Sequence, residues 1–386
     1  MRCVPDLPAD FPVVGVVGGG QLARMMQQAA IGPGIRLRLL ADSADDSAAQ
    51  VINDVTVGDY RDLADLRAFA AGCDVVTFDH EHVPTAHLQA LEAAGVAVRP
   101  GSAALVHAQD KRVMRARLQA IGVPVPRWVP VDTADDLAAF LATADDGAAV
   151  LKTARGGYDG KGVRIVRSVD DAADWLATGQ PLLVEDVVPF TRELAVLVAR
   201  SPSGQAAVYP VVESVQDHGV CHEVHVPAPG IAEDHALAAQ AAALRIAREL
   251  EVTGVLAVEL FDTADGVLVN ELAMRPHNTG HWTIDGAVTS QFEQHLRAVL
   301  DLPLGSTRAL TPHAMMVNVL GGDLDDLYPG YLHCLARDPE LHIHAYGKRP
   351  RPGRKLGHVT VIGSDPHDLA ERARHAAAYL RGDIDE

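Results

Sequence analysis

Residues 13–108 alternate apolar runs with amphipathic stretches, and this alternation constrains the fold more than any other feature of the chain. The run FPVVGVVGGG predicts a buried strand that ends in a glycine turn, and QLARMMQQAA predicts an amphipathic helix. IRLRLLAD and CDVVTFD predict two further strands, each followed by a helical stretch. Because alternating strands and helices are typical of βαβ units, the sequence predicts a mostly parallel sheet here.

Composition restricts the classes of protein to which the chain can belong. It has 386 residues, 48% of them apolar, and a net charge of -18. This length predicts several packed units, and the negative charge disfavours nucleic acid as a partner. Cys3, Cys73, Cys221 and Cys334 lie far apart, which favours a reducing cytoplasm over a disulfide framework or a zinc cluster. With neither a membrane span nor a secretory signal in the sequence, we expect a cytoplasmic protein without a membrane partner.

The turn from Gly18 to Ala23 has the spacing G-x-G-x-x-A, between a predicted strand and a predicted helix. Asp42 follows the second strand, as in dinucleotide-binding units. Glycines at these positions allow backbone N–H groups to approach an anion closely. A structural tight turn has the same sequence, so both interpretations remain open, and nothing in the pattern indicates nicotinamide.

A second glycine-rich segment, RGGYDGKG at residues 155–162, lies between two predicted strands, and Lys152 ends the first of them. A Walker A loop is excluded, because that motif continues as Gly-Lys-Ser/Thr into a helix. Four glycines within seven residues are more than an ordinary hairpin needs. We therefore predict a mobile flap that places backbone donors over phosphates, with Lys152 and Lys161 adding positive charge.

GVLAVELFD and GVLVNELAM predict a hairpin joined by TADG. Counting back from this turn places Glu259 and Glu271 on the same side of the sheet, a few ångströms apart. Buried carboxylates are costly unless they are paired or bound to metal, and a carboxylate pair beside triphosphate oxygens suits Mg²⁺. A salt-bridged or solvent-facing hairpin fits the same spacing, so both interpretations stay open.

The segment that follows contains His277 and His281 in the spacing H-x-x-x-H, which on a helix could hold zinc. A proline and a glycine in this segment disfavour a regular helix. A polar loop in which Arg275, His277 and Asn278 bind an anion is the better interpretation.

The segment KRPRPGRK, residues 348–355, contains five basic residues in an otherwise acidic protein. Two prolines and a glycine predict a compact loop rather than a solvated basic run. We predict a pocket for a phosphate monoester, with Lys348, Arg354 and Lys355 as the candidate ligands.

Together these motifs resemble the ATP-grasp superfamily. Within it, GGGQLARM, FDHEHV, GGYDGKG, NELAMRPHNTGHWT and RPGRKLGH are similar to the N5-carboxyaminoimidazole ribonucleotide synthases, over about residues 13–363. The resemblance implies an α/β and α+β fold with ATP-grasp architecture. Its implied parts are a Rossmann-like domain (1–108), an ATP-grasp lid subdomain with the flap (109–188), a second ATP-grasp subdomain with the Mg/ATP carboxylates (189–310) and a small β-rich domain with the basic loop (311–386).

The resemblance also implies a reaction. Bicarbonate and ATP would form carboxyphosphate, and 5-aminoimidazole ribonucleotide would accept the carboxyl group. Mg²⁺ and ATP are the implied cofactors, and a homodimer is the implied assembly. Glu259 and Glu271 would hold Mg²⁺, and the implied catalytic residues are Arg275, His277, Asn278, Asp159 and Lys161.

Binding residues are implied by the same motifs. Those for ATP are Lys111, Lys152, Gly157, Tyr158, Asp159, Gly160, Lys161, Gly162, Glu185, Glu193, Gln216, Asn270 and Glu271. Backbone near Glu185 would meet the adenine and Glu193 the ribose, while Gln216 stands where relatives often have a histidine. The implied residues for the ribonucleotide are Gln21, Leu22, Glu81, Tyr158, Asp159, Lys161, Lys348, Arg354 and Lys355.

Other functions use parts of the same pattern. A formate-dependent glycinamide ribonucleotide transformylase or a biotin carboxylase would share the ATP site, although FDHEHV and RPGRKLGH favour the ribonucleotide carboxylation. A nicotinamide dehydrogenase would use the Gly18 turn and Asp42 but would leave the flap, the carboxylate pair and the basic loop without a role. A nucleotide-binding protein without catalytic activity is the remaining alternative.

Overall fold

The computed structural model describes residues 11–157, 160–322 and 324–385. It begins with a four-stranded sheet in which every pairing is parallel and the strand order is 3-2-1-4. The strands are β1 (Val13–Val17), β2 (Arg36–Ala41), β3 (Asp54–Val57) and β4 (Val75–Phe78). The helices of this part are α1 (Gln21–Ile31), α2 (Leu63–Ala70), α3 (Thr85–Ala93) and α4 (Ser102–Gln109). The predicted parallel sheet is confirmed.

A second four-stranded sheet is antiparallel, with the strand order 5-8-6-7. Its strands are β5 (Trp128–Val131), β6 (Ala149–Thr153), β7 (Val163–Val166) and β8 (Leu182–Asp186), and its helices are α5 (Lys111–Ala120), α6 (Ala134–Leu141) and α7 (Ala173–Ala177). The glycine-rich segment connects β6 to β7, so the predicted hairpin is confirmed.

The third sheet has nine strands in the described part of the chain. They are β9 (Phe190–Arg200), β10 (Ala206–Val208), β11 (Val212–Asp217), β12 (Val220–Val226), β13 (Gly254–Thr263), β14 (Gly266–Ala273), β15 (His313–Leu320), β16 (His342–Ala345) and β17 (Lys355–Gly363). Its order is 14-13-9-11-12-15-17-16, and β10 pairs with β9. The accompanying helices are α8 (Glu233–Glu249), α9 (Thr283–Gly286), α10 (Gln291–Val299), α11 (Tyr331–Arg337) and α12 (Pro366–Arg381).

The C-terminal strands continue this sheet, because β15 pairs with β12 along Glu223 to Val226. The sequence predicts one helix after Thr311, and that prediction is wrong, since α11 precedes α12. α11 has only seven residues and exposes Leu332 and Leu335, so it lacks the apolar periodicity that reveals a helix.

The largest apolar cluster joins the first sheet to the third. It includes Phe78 of β4, Leu105 of α4, Met114 of α5 and Val258 of β13. Burial of this size stabilises the placement of one sheet against the other, because the apolar surface of both is removed from water. In the described residues, no helix combines the length and apolarity needed to cross a bilayer.

Candidate active site

Two carboxylates face each other in the hairpin of β13 and β14. Glu259 lies directly opposite Glu271, and residues that pair directly across neighbouring strands project from the same face of a sheet. The predicted pairing of these side chains is therefore confirmed. Burial, together with the charges of Glu271 and Glu193, raises the pKa of Glu259 to about 8. Acids this crowded favour a positive charge between them.

Lys111 already provides positive charge at this position. Its Nζ lies 2.7 Å from Glu271 Oε1. The side chain of Asp110 caps the N-terminus of α5, and the backbone N–H of Lys111 donates to the carbonyl of Ala154 at 2.9 Å. The start of α5 is thus tied to the root of the flap, and Lys111 is held between the flap and the carboxylate pair.

Lys152 enters the same region from β6. Its Nζ lies 3.1 Å from Asn270 Oδ1 and 2.7 Å from Glu185 Oε2. The second oxygen of Glu185 accepts a hydrogen bond from Arg115 Nε at 2.5 Å. Burial alone would raise the pKa of Glu185, but the charges of Lys152 and Arg115 outweigh it and lower that pKa to about 2. Glu185 therefore stays ionised and orients Lys152 with its side chain, while its backbone pairs within the sheet.

The flap closes toward the hairpin of β11 and β12. Gly156, Gly160 and Gly162 all have positive φ, at 78°, 74° and 73°, which residues with a side chain rarely adopt. A Cβ on Gly157 would lie 2.7 Å from the carbonyl oxygen of Lys161, and one on Gly160 would lie 3.1 Å from the carbonyl oxygen of His218. The flap therefore needs glycines at these positions and reaches the β11–β12 turn.

Gln216 lies in β11 just before that turn, where its Nε2 donates to Ser214 Oγ at 2.7 Å. The predicted roles of Tyr158 and Asp159 fall outside the described residues.

The polar segment after β14 is held by Glu81, which follows β4. Glu81 accepts from Arg275 Nε at 2.8 Å with one oxygen and from the backbone N–H of Met274 at 3.1 Å with the other. Both oxygens of Glu81 are thereby used to orient this segment. A contact of Glu81 with a substrate would add to this role.

His277 faces the carboxylate pair. Its Nε2 lies 3.3 Å from Glu259 Oε1, while its Nδ1 accepts from the backbone N–H of Thr279 at 3.4 Å. Burial and the charges of Arg275 and Lys355 lower the pKa of His277 well below its ordinary value. The ring is therefore neutral, and because Nδ1 accepts from Thr279, its proton is assigned to Nε2, which faces Glu259.

Asn278 follows His277, and its side-chain amide makes no hydrogen bond to the described residues. Its Oδ1 and Nδ2 are both buried and have no hydrogen-bond partner in the part of the chain that the structure describes. Buried polar groups are nearly always paired, so this amide indicates a ligand position. The 3₁₀ turn Asn278–Gly280 confirms that the segment is not an α-helix.

The donor set fits Mg²⁺ better than zinc. His277 faces Glu259, whereas His281 contacts Gln291 and stacks on Phe292. Within residues 11–157, 160–322 and 324–385, no group of three or more His, Cys, Asp or Glu is arranged to hold a metal. Two carboxylates suit Mg²⁺, which keeps waters and completes its coordination with phosphate oxygens.

The basic loop reaches the first domain. Lys348 Nζ donates to Gln21 Oε1, and the charges of Arg354 and Lys355 act on Lys348, adding to burial in lowering its pKa. Lys355 also acts on Glu259. Lys348 thus contacts Gln21, and the charges of all three predicted phosphate ligands act in this region.

The turn before α1 already holds an anion of the protein itself. The backbone N–H groups of Gly20 and Ala23 donate to the carboxylate of Asp79 at 2.9 and 2.8 Å, and a Cβ on Gly20 would collide with that carboxylate. The close approach of Asp79 therefore explains why Gly20 is needed here. This agrees with the interpretation of the segment as a structural tight turn. Leu22 is buried in the apolar core, so it can contact a substrate only through its backbone.

Sequence reasoning missed two residues that hold this site together. Arg115 follows Lys111 by four positions in α5, and that spacing, which places both on one helical face, is a signal that could have found it. Gln291 binds the backbone of His277 on both sides, accepting from its N–H at 2.8 Å and donating to its carbonyl at 2.7 Å. Nothing in the sequence near Gln291 indicates this contact.

Family models match three parts of the chain. Residues 12–109 match the ribonucleotide synthetase preATP-grasp domain, residues 116–292 the ATP-grasp domain, and residues 314–372 the phosphoribosylaminoimidazole carboxylase C-terminal domain. Together they reach from the first sheet to the basic loop.

Curated relatives are similar over nearly the whole chain. The N5-carboxyaminoimidazole ribonucleotide synthase of Mycobacterium tuberculosis is 56% identical over 380 residues, covering 96% of this chain and 88% of the relative. That of Corynebacterium ammoniagenes is 50% identical over 381 residues, covering 96% and 92%. The chain belongs to the N5-carboxyaminoimidazole ribonucleotide synthase family.

Solved structures of this family share the fold. An N5-carboxyaminoimidazole ribonucleotide synthetase in complex with ADP has a TM-score of 0.88 at 37% identity, covering 97% of this chain and 99% of that one. The Aspergillus clavatus enzyme, in complex with ADP and 5-aminoimidazole ribonucleotide, has a TM-score of 0.86 at 31% identity, covering 97% and 100%. The ATP-grasp fold expected from the resemblance is thus confirmed.

Proposed function

We propose that the chain catalyses the ATP-dependent carboxylation of 5-aminoimidazole ribonucleotide to N5-carboxyaminoimidazole ribonucleotide, a step of purine biosynthesis. Its family supports this reaction, since its relatives carry this name and the Aspergillus clavatus structure contains ADP and the acceptor ribonucleotide. The observation that carries the proposal is the convergence of the Glu259–Glu271 pair with Lys111, His277 and the basic loop.

The reaction would proceed in two steps. An oxygen of bicarbonate attacks the γ-phosphorus of ATP, the bond to ADP breaks, and carboxyphosphate forms. The exocyclic amine of the ribonucleotide then attacks the carboxyl carbon, the bond from carbon to the phosphate oxygen breaks, and phosphate and a proton leave. Both steps bring anions together, so cationic side chains must offset their repulsion.

The nucleotide would lie between the flap and the third sheet. Lys111 and Lys152 contact its phosphates. Glu259 and Glu271 would hold Mg²⁺, which would supply positive charge to the phosphate oxygens. Because Glu185 orients Lys152, the ammonium of Lys152 is pre-positioned. The flap, residues 155–162, covers the phosphates and keeps water from carboxyphosphate.

Other nucleotide contacts follow from the family. Glu193 binds the ribose, Asn270 lies beside the phosphates, and Gln216 lies at the edge of the site. Since the backbone of Glu185 pairs within the sheet, the adenine meets the segment that follows β8.

The acceptor would lie between the first domain and the basic loop. Lys348, Arg354 and Lys355 bind its phosphate, with Gln21, the backbone of Leu22 and Glu81 opposite. The family resemblance also assigns Tyr158, Asp159 and Lys161 to the acceptor. Arg275, His277 and Asn278 bind bicarbonate and then carboxyphosphate. The unpaired amide of Asn278 supports this assignment.

The four-part division at residues 108, 188 and 310, the homodimer and the cytoplasmic location are also proposals. Cys73, Cys221 and Cys334 form no disulfide in the described part of the chain, which fits a reducing compartment. Sedimentation of the purified protein tests the dimer, since a single species of monomer mass would contradict it.

One assay tests the function. ADP release is measured with Mg²⁺ and ATP, and bicarbonate and 5-aminoimidazole ribonucleotide are added singly and together. Full turnover is expected only with both, with N5-carboxyaminoimidazole ribonucleotide as the product. Turnover that needs formate and glycinamide ribonucleotide instead, or biotin, would assign the chain to another ATP-grasp reaction.

A further inference from the structure

A column of three imidazole rings leads away from the polar segment 274–281, and no step of the proposed reaction uses it. The ring centroids of His281 and His358 are 5.0 Å apart, and those of His358 and His344 are 4.5 Å apart. His281 and His358 are almost fully buried. Burial lowers the pKa of each of these two well below its ordinary value, so His281 and His358 pack against each other without charge repulsion. We call His281, His358 and His344 the histidine column.

One carboxylate closes the far end of the histidine column. Asp285 Oδ2 lies 2.8 Å from His344 Nε2, and Asp285 Oδ1 lies 3.3 Å from His342 Nδ1. The Asp285 side chain is only 9% exposed. Asp285 belongs to α9, four residues beyond His281, whereas both of its partners belong to β16. A single side chain thus connects α9, which follows the segment 274–281, to β16.

β16 leads directly into the basic loop. Tyr346 follows the strand, and its hydroxyl lies 2.7 Å from His358 Nδ1. The carbonyl of Tyr346 accepts from Ser47 Oγ at 2.5 Å, so the first domain holds the same point. Lys348 comes two residues later. The position of β16 therefore sets where Lys348 projects.

We infer that Asp285 is a positioning residue, which fixes the basic loop against the segment 274–281 and so aligns the acceptor amine with the activated carboxyl group. This inference rests on the proposed function. The contacts of Asp285 lie on the acceptor side, whereas Lys111, Lys152 and the carboxylate pair are held by other elements. Loss of the carboxylate should therefore impair use of the acceptor and leave ATP binding unchanged.

The test compares Asp285→Asn with wild type in steady-state kinetics. An amide is uncharged and offers one acceptor oxygen where the carboxylate offers two, so the contacts with the two histidine nitrogens are weakened. A hydrogen bond to a charged group is worth roughly a factor of ten or more, so KM for 5-aminoimidazole ribonucleotide should rise about tenfold. KM for MgATP should stay within about twofold, and less carboxylated product should form per ADP.

Two further comparisons separate positioning from general loosening. His344→Gln keeps a donor for Asp285 and should retain a low KM for the acceptor, whereas His344→Leu should raise it. Asp338→Asn removes a carboxylate that binds Arg372 at 2.8 Å elsewhere in the same part of the chain and should leave both KM values unchanged.

The inference is overturned if Asp285→Asn keeps the wild-type KM for the acceptor and the wild-type coupling, or if both KM values rise equally. If Asp285→Asn fails to fold, the His344 pair decides, and equal acceptor KM values for Gln and Leu would overturn it. Failure of the proposed function itself would look different, because wild type would then show no turnover that depends on bicarbonate and the acceptor.

Discussion

Glu259 and Glu271 are two carboxyl groups held opposite each other among the residues proposed to bind ligands. Glu259 has a pKa raised to about 8 by burial and by the charges of Glu271 and Glu193, and Lys111 compensates only one side of the pair. Without bound metal, the protein keeps these two carboxyl groups close together with Lys111 beside only one of them, and a bound metal cation would ease this crowding. Function should therefore depend on this pair more strongly than stability does.

Replacing Glu271 with Gln should abolish ADP formation and leave the fold intact. We expect a loss of at least about 100-fold in kcat, because the charge that stabilises phosphoryl transfer is no longer held in place. The melting temperature should stay within about 4 °C of wild type, since the crowding of two carboxyl groups and the ion pair with Lys111 are lost together. ADP release and thermal unfolding measure both effects. Glu249→Gln, at the end of α8, is the control, and full activity of Glu271→Gln would contradict the metal role.

The pH dependence of stability tests Glu259 directly. Its pKa is about 8 in the folded protein against an ordinary value of 4.5, so the folded state keeps a proton that the unfolded chain has lost. The resulting stabilisation is fully present below pH 4.5 and is lost as the pH rises toward about 8. We expect the melting temperature of metal-free wild type to fall more steeply over this range than that of Glu259→Gln. Parallel curves would show that Glu259 is not the group concerned.

At the scale of elements, the flap depends on backbone conformations that the sequence already indicates. Its glycine spacing predicts a hairpin, and β6 and β7 form one. The sequence does not indicate which element the flap contacts, because the contact of Gly160 with the β11–β12 turn joins residues about sixty positions apart. Local sequence carries no signal for such a contact. The same limit applies to Asp79, since the glycine turn does not reveal which anion comes to it.

Gly162→Ala should disable the flap. Gly162 has a φ of 73°, and a Cβ there would lie 2.5 Å from Thr153 Oγ1. Gly179→Ala is the matched control, because Gly179 has a φ of 67° but open space around it. Both variants should lose about 1 kcal/mol of stability to backbone strain. Only Gly162→Ala should raise KM for MgATP, by about tenfold or more. Equal KM values in the two variants would contradict a flap over the phosphates.

At the scale of the whole molecule, one region receives side chains from all three sheets. The local patterns predict the strand β4 before Glu81, the hairpin of Glu259 and Glu271, and the flap. They do not predict that β15 pairs with β12, because alternation along a strand shows which residues face inward but not which strand lies beside it. That pairing brings the basic loop to Gln21. Gln291 was missed for the same reason, since its role depends on a segment that the fold brings to it.

Transfer of isotope from bicarbonate tests the central claim most directly, namely that ATP, bicarbonate and the acceptor react in this one region. Bicarbonate labelled with ¹⁸O is supplied with MgATP and 5-aminoimidazole ribonucleotide, and the phosphate released is analysed by mass spectrometry. If bicarbonate attacks the γ-phosphorus, each released phosphate should carry one labelled oxygen. Labelled phosphate and carboxylated product should then form in equal amounts. Unlabelled phosphate formed at the same rate as the product would contradict the account.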